Sequence, residues 1–517
     1  MLRTTRKQNT TNSRTRGIAP LRRPGAVATG VDRNVARNPA GVDGNSGFGS
    51  LGFGVQHPLC KNDENARLMG YEDQIKQAFD SIVPTLKDIS AIQHESDFEA
   101  QAQRIARDQL GFELPETILA DAWIEQLDMR RLFAWCVFNT YKHFCDEFFD
   151  SHASSDLAEK DFDVFLQSCG FHTMDITPCA DGRLAHLVRY VLRLPPRAVR
   201  RKSYAGAMFD VEDSLEKWSE IELQRFREGK PNKVDAPTRY LKVVAYHFSS
   251  GDPEHEGCAA HGSDTKKAAQ AGLDRLINFR QAIENSFCCG ASIDLLLIGV
   301  DTDTDSMRVH VPDADGQMAL DRYVDTQSIF AETSELDAAR AESAVETAVQ
   351  QCSADVTTGM AQLIAHLIEN NLSQIAYVLG RHGERYPDIG HAERFIGAGV
   401  GFEDIQLRNL MYFAYLNTVE EGAADLDVGI KIFTGLNVSH GLPVPVVVRF
   451  DYHGEVPGAR ERAQQRCGRV AQALSERFED LCQQGLLHVL QVARDCDNDS
   501  PLEIFACSVN TPEVGGH

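Results

Sequence analysis

The residues able to do chemistry gather between Cys179 and Gly290. Cys179-Ala180-Asp181-Gly182-Arg183 places a soft metal ligand, a carboxylate and a guanidinium in one short stretch. Downstream come Tyr246-His247, Asp252, His255, Cys258 and His261, then Cys288-Cys289-Gly290. Thiolates and imidazoles are ligands that suit zinc. Three of them with a fourth position open make a catalytic site, because the metal lowers the pKa of a water there from about 16 toward about 7.

His247 ends the apolar run Leu241–Phe248, and Cys258 lies in the polar, Gly-containing loop beyond it. A strand end and its adjoining loop can converge on one ion, and a neighbouring loop at the same sheet edge could bring Cys179. This gives a Cys179, His247, Cys258 set with one vacancy. Separations of 68 and 11 residues match no standard zinc signature. Scattered buried thiols, or a structural four-ligand site using His261 or Cys288, remain open on chemistry alone. Asp181 and Arg183 favour the catalytic reading. A carboxylate beside a hydroxide accepts its only proton and leaves a lone pair for a substrate. A bidentate pair with Arg183 would keep that carboxylate ionised and off the metal. The alternative is a turn with a surface ion pair.

The elements that must position these residues follow from periodicity. Leu68, Tyr71, Ile75, Phe79, Ile82, Val83 and Leu86 recur every three or four residues, a helical stripe. Pro115 can open a helix, and Leu132, Phe133, Trp135, Cys136, Phe144 and Phe148 mark another. An all-α domain of about four helices is expected there. The pattern then turns α/β. Leu241–Phe248 and Ile293–Val300 read as buried strands, with a helix between them capped by Ser263 or Asp264. Met307–Val311 reads as a further strand, with helices at 337–351 and 357–379. Beyond about 398 the layout repeats: a strand at Val444–Phe450, a helix over 458–485 and a strand at Leu487–Val492. Asp495-Cys496-Asp497-Asn498-Asp499-Ser500 echoes Asp301-Thr302-Asp303-Thr304-Asp305-Ser306, and Gly401-Phe402 echoes Gly170-Phe171. Gln406-Leu407-Arg408 stands roughly where the first copy has its Cys-Asp-Arg cluster. The expectation is a duplication in which one half lost its site. The Asp301 turn opens like a calcium loop but has Ser306 and Pro312 where Gly and Glu are required, so it reads as a strand-end turn.

A chain of 517 residues needs several cores. No run of about 18 apolar residues suggests a membrane span, and no apolar signal segment opens the chain. An organellar transit peptide is a minor alternative for the Arg-rich start. Thirteen scattered cysteines are no disulfide framework. Residues 1–40 carry nine Lys/Arg against one acid, Asp32, so they are net +8 and the remainder is −31 of a total of −23. An acidic body excludes general nucleic-acid binding; a basic arm on it fits a tether to a separate acidic partner. The arm, residues 1–56, is too polar to fold alone and is expected to be disordered.

Cys-x-Asp-x-Arg is similar to the zinc-and-dyad motif of the β-class carbonic anhydrases. More closely, the chain resembles the shell carbonic anhydrases of α-carboxysomes, formerly the ε-class. The stretches that carry this are Asp175–Leu184, Tyr204-Ala205-Gly206-Ala207-Met208-Phe209-Asp210, Cys258-Ala259-Ala260-His261-Gly262-Ser263, Cys288–Asp294, Arg381-His382-Gly383 and Gly390-His391-Ala392-Glu393-Arg394. The resemblance covers nearly everything after about residue 57. It implies a helical domain at 57–152, a catalytic zinc domain at 153–397 and a degenerate copy at 398–517. It puts one Zn²⁺ per chain on Cys179, His247 and Cys258, and the catalytic dyad on Asp181 and Arg183. In the broad β-class two residues separate the His and second Cys; here ten intervene, which makes His261 the alternative to His247. His391 is a candidate catalytic histidine for substrate positioning or proton transfer. The implied reaction is the interconversion of CO₂ and bicarbonate, in a carboxysome that supplies CO₂ to Rubisco. The arm would hold Rubisco or shell protein, with no nucleic acid and no membrane involved. A homo-oligomer, a dimer or a multiple of dimers, is implied too. The rival readings are another zinc-dependent hydrolase or lyase and a scaffold with a structural zinc.

Overall fold

The computed structural model describes residues 55–148, 156–195, 197–233, 237–287, 292–416, 418–498 and 500–510. The basic arm, apart from residues 55 and 56, and the Cys288-Cys289-Gly290 stretch lie outside them. The first described region is helical, with helices at Asn62–Ala91, Phe98–Leu110, Glu116–Asp121 and Met129–Glu147. The apolar stripe of the first helix is buried through Leu68, Ile75, Phe79, Ile82 and Leu86.

Two mixed sheets follow, which makes this a multidomain α/β protein. The first contains β1 (Thr173–Pro178), β2 (Arg200–Arg201), β3 (Arg239–Phe248), β4 (Ser292–Asp301), β5 (Met307–His310) and β6 (Val324–Asp325), in the order β2-β1-β3-β4-β5-β6. The second contains β7 (Phe395–Val400), β8 (Met411–Tyr415), β9 (Val444–Phe450), β10 (Leu487–Ala493) and β11 (Glu503–Cys507), in the order β8-β7-β9-β10-β11. In the first sheet β2, β1, β3 and β4 are parallel and β5 is antiparallel to β4. In the second, β8, β7, β9 and β10 are parallel and β11 is antiparallel to β10. β3 is a central strand buried on both faces, so it reads as a continuous β-branched and aromatic run.

Two expectations need correction. Gly170-Phe171 precedes β1, whereas Gly401-Phe402 follows β7, so the two pairs occupy different places. The single helix expected over 458–485 is two, Ala459–Arg477 and Glu479–Gln483, because Phe478 leaves helical geometry at φ −118°, ψ 40°. No helix among the described residues is long and apolar enough to cross a membrane, and no described cysteine is in a disulfide.

Buried ion pairs tie the helical region to the second sheet. Arg449, at the end of β9, holds both oxygens of Asp404 at 2.8 and 2.9 Å and bonds to the Tyr141 hydroxyl at 3.0 Å. Arg494 reaches Asp404 at 3.3 Å and donates to the Cys145 carbonyl at 2.6 Å. Burial would raise the Asp404 pKa, but the two guanidiniums hold it below the ordinary carboxylate range. Its stabilisation is therefore present above the unfolded-state value and is lost as pH falls through the depressed folded one. Asp404→Ala, which removes the carboxylate shared by Arg449 and Arg494 while leaving Arg449 its pair with Asp451 at 2.8 Å, is expected to cost about 3 kcal/mol in denaturant unfolding. A cost within about 0.5 kcal/mol would remove the network from the list of stabilising features.

Candidate metal centre

The site lies at the C-terminal ends of parallel strands, where open α/β sheets leave a crevice. Cys179 directly follows β1; its N–H donates to the Ala245 carbonyl on β3 at 3.3 Å. His247 is the penultimate residue of β3. Cys258 opens the turn Ala259–His261. The Cys179 and Cys258 thiols and the His247 ring bring ligand atoms within 4.8 Å of one another, and all three residues are buried. The Gly206 N–H donates to Cys179 Sγ at 3.2 Å, which favours the thiolate. A side chain at Gly206 (φ 64°) would meet the His261 ring, Nε2 of which lies 3.2 Å from the Gly206 carbonyl. That contact keeps His261 out of the cluster. His255 pairs with Asp252 on the surface at 2.8 Å.

The cluster fits a thiophilic metal. Both ring nitrogens of the fully buried His247 lack a hydrogen-bond partner. Nε2 stands 3.3 Å from Asp181 Oδ2 without hydrogen-bond alignment. A buried polar atom left unmade costs about 1–3 kcal/mol, and a metal bond to one nitrogen would remove part of that cost. Two thiols and an imidazole are a zinc donor set. The metal-free electrostatics are strained. Cys258 beside it, then burial, pushes the Cys179 thiol well up, while Cys179 pulls Cys258 below the ordinary thiol value. One proton shared by two adjacent thiols accounts for both directions. Burial lowers the His247 pKa, but Asp181 and Cys179 outweigh it and hold it at about 9.

Asp181 and Arg183 form the second part of the site. Arg183 Nε reaches Asp181 Oδ1 at 3.0 Å and Nη2 reaches Oδ2 at 2.8 Å, a bidentate pair. The Arg183 N–H also donates to Oδ1 at 2.9 Å. Nη1 is fixed on the carbonyls of Glu256 at 2.7 Å and Ile389 at 2.9 Å. Arg183 is fully buried and Asp181 is 6 % exposed. Burial alone would raise the Asp181 pKa; Arg183, then His391 and His247, hold it well below the carboxylate range. His391 Nε2 is 3.9 Å from Asp181 Oδ2. Burial lowers its pKa, but Asp181 and Glu393 raise it to about 9.

The second sheet forms the other wall. Phe413 on β8 donates its N–H to the Ala180 carbonyl at 3.1 Å, and Asn409 donates to the Gly182 carbonyl at 2.8 Å. Tyr415 donates to the Ser203 carbonyl at 2.9 Å. Sequence reasoning had no role for Gly206, Glu256 or Glu393. Gly206 and Glu256 act largely through backbone groups, which carry no residue-type signal. Glu393 stands two residues after His391, and that spacing is the one hint the sequence offers.

Three family models match consecutive parts of the chain: carboxysome shell carbonic anhydrase N-terminal at 57–149, catalytic domain at 161–391 and C-terminal at 392–509. Among curated relatives, the carboxysome shell carbonic anhydrase of Parasynechococcus marenigrum is 52% identical over 96% of this chain and 85% of its own length. That of Prochlorococcus marinus strain MIT 9313 is 51% identical over 96% of both. That of Halothiobacillus neapolitanus is 44% identical over 96% of this chain and 99% of its own length. With three models spanning the helical region and both sheets, and relatives this similar along nearly the whole length, the chain belongs to the carboxysome shell carbonic anhydrases.

Proposed function

We propose that this carbonic anhydrase is zinc-dependent, with one zinc per chain held by Cys179, His247 and Cys258, and that it supplies CO₂ to Rubisco inside the carboxysome. The observation that carries the reading is the convergence of three buried ligand atoms within 4.8 Å beside the Asp181–Arg183 pair. Zinc, when bound with an open position, supplies a deprotonated water at neutral pH. The chain's own residues then orient the reactants. Asp181 is ionised and can only accept, so it would take the hydrogen bond of a hydroxide beside it at Oδ2 and leave the lone pairs free for CO₂. Arg183 holds both carboxylate oxygens and is itself held by two carbonyls, so Asp181 cannot swing onto the metal. His391 Nε2 faces the same space as Asp181 Oδ2 and can hydrogen-bond the bicarbonate oxygens or pass the proton that hydration releases. The bond-making is balanced by water: CO₂ and H₂O give bicarbonate and one proton, and the reverse direction yields CO₂.

Metal analysis with stopped-flow CO₂ hydration tests this. One zinc per chain with chelator-sensitive hydration is expected. Zinc without hydration would mean a structural metal in a scaffold.

We further propose that the second sheet is a degenerate duplicate of the first. Five strands of the first sheet, β2-β1-β3-β4-β5, and the five of the second, β8-β7-β9-β10-β11, share order and directions, which supports it. Phe248 pairs with Asp301, as Tyr452 does with Asp495. That register sets Asp451 opposite His247. Pro178 pairs with Ala245 and Gly399 with Arg449, which sets Val400 opposite Cys179. Both ligand positions are then lost, and the Arg449–Asp404 network fills the space. We keep 57–152 as the helical domain and start the catalytic domain at 153, but end it ahead of Phe395 rather than at 397, because β7 belongs to the second sheet. The arm, residues 1–56, is proposed to tether Rubisco or shell protein through exposed charge, and the enzyme is proposed to be a dimer or a multiple of dimers. Binding of the full chain to purified Rubisco and shell proteins is expected to weaken steeply from low to high salt. Salt-insensitive binding would exclude the charged arm as the tether.

A further inference from the structure

Besides the backbone contacts from the second sheet, the Cys179–Arg183 turn receives a polar side chain from the segment that leads into β7. Glu393 lies just ahead of β7 and is 3 % exposed. Its Oε1 accepts from the Gly182 N–H at 3.1 Å and lies 2.8 Å from His391 Nδ1. Oε1 already accepts from a backbone N–H, which marks it as an acceptor and leaves Nδ1 as the donating nitrogen. The other ring nitrogen, Nε2, is then free to face Asp181.

Two features show that Glu393 is more than filler. Its Oε2 is buried and has no hydrogen-bond partner among the described residues. That arrangement costs about 1–3 kcal/mol, which a leucine of similar size would not incur. Gly182 also gives way to it. A Cβ at Gly182 would collide with Glu393 Cγ and lie 2.7 Å from Cδ. Gly182 is therefore glycine for room: it opens the short helical turn Gly182–Leu184 and its φ is not positive.

We propose that Glu393 is a positioning residue of this site, seating the Gly182 turn and holding His391 with Nε2 toward Asp181. The reading rests on the proposed roles of Asp181 and His391. Glu393 is not a ligand of the metal held by the thiols. Asp181, His391 and Glu393 do bring ligand atoms within 4.8 Å of one another. However, Arg183 engages both Asp181 oxygens, and Glu393 Oε1 is engaged twice. A second cation there would face the Arg183 guanidinium and compete with it for Asp181.

The test uses the full-length, zinc-loaded protein and the variants E393A, E393Q, H391A, H391A/E393A, G182A and G182A/E393A. Each is measured for zinc affinity by chelator competition and for kcat and KM of CO₂ hydration. E393A is expected to keep its zinc and lose about tenfold or more in kcat. E393Q should recover most of that loss, because its amide oxygen can accept the same two bonds. If Glu393 acts through His391, the double variant H391A/E393A stays within about twofold of H391A alone. G182A is expected to weaken zinc binding about tenfold or more, and G182A/E393A to regain most of it, because trimming Glu393 makes room for the Cβ. Full activity in E393A, additive losses with H391A, or an undiminished G182A defect in the E393A background would each overturn the proposal. So would loss of a metal equivalent in E393Q. If the wild-type protein binds zinc but hydrates no CO₂, the carbonic anhydrase reading fails by itself, while the zinc-affinity cycle still reports on Glu393 and Gly182.

Discussion

Cys179→Ala is expected to give a folded protein that holds no zinc and shows no CO₂ hydration above background. The backbone at Cys179 stays paired, because its N–H contact with Ala245 and its bridge to Tyr204 do not need the thiol. What disappears is one of three proposed ligands. His247 and Cys258 alone leave the ion two open positions, too few protein ligands for a stable zinc site. The Gly206 N–H also loses its sulfur acceptor, at a cost of about 1–3 kcal/mol. Cys467→Ala is the control. That thiol is also buried and, among the described residues, bonds to strand carbonyls of the second sheet, so Cys467→Ala should retain zinc and rate. Metal analysis on desalted protein decides the matter. Stoichiometric zinc in Cys179→Ala would remove Cys179 from the ligand set, and zinc loss with full hydration would end the zinc-dependent reading.

Asp181→Asn should behave in the opposite way, keeping zinc and losing about a hundredfold in kcat. The amide preserves the shape of the turn and one acceptor, but its NH₂ faces either Arg183 or the reacting water as a donor. In either orientation the acceptor-only surface that would aim the hydroxide is gone. Asp181→Ala adds a stability cost, because it removes the bidentate partner of the buried Arg183 guanidinium and leaves it Glu256 at 3.4 Å and two carbonyls. Arg183 and the two imidazoles hold Asp181 well below the carboxylate range, so it remains ionised as pH falls through 4. Its contribution to folding is then full above the unfolded-state value of about 4 and disappears only as pH drops through the depressed value. An acid limb of activity near neutral pH is therefore not the titration of Asp181 itself, and in Asp181→Asn it should move only as far as loss of that charge lowers the His391 pKa. Unaltered kcat in this variant would remove Asp181 from the mechanism.

The elements that were legible in the sequence are those buried for apolar reasons. β3, β4, β9 and β10 are near-continuous hydrophobic runs, and the helices at 62–91 and 129–147 show clean stripes. β1 was hidden because its burial is partly polar. Asp175 lies fully buried in it, bonded to the Tyr240 hydroxyl at 2.6 Å and paired with Lys242 at 3.2 Å. β7 was hidden by its glycines. Gly399, at φ 128°, lets the strand approach the Arg449 carbonyl more closely than any side chain permits. Glycine there reads as a turn when only the sequence is visible. At the site, thiols, imidazole, carboxylate and guanidinium announced themselves by type. The fastening from β8 and from Glu393 did not, since main-chain donors are residue-blind and glutamate is usually a surface residue.

The hydrogen bonds from Asn409 and Phe413 to the Gly182 and Ala180 carbonyls set an order of events during synthesis. The two thiols and the imidazole have all left the ribosome before the strand that clamps the turn is made. At about 5–20 residues per second, the 155 residues from Cys258 to Phe413 take roughly 8–30 s to add. Zinc capture by the nascent chain can therefore precede closure of the turn. The enzyme is expected to become competent only after β8 docks, a late, long-range contact of the kind that slows folding. Ribosome-stalled chains ending near residue 395 should accordingly bind zinc without hydrating CO₂, whereas released full-length chains do both.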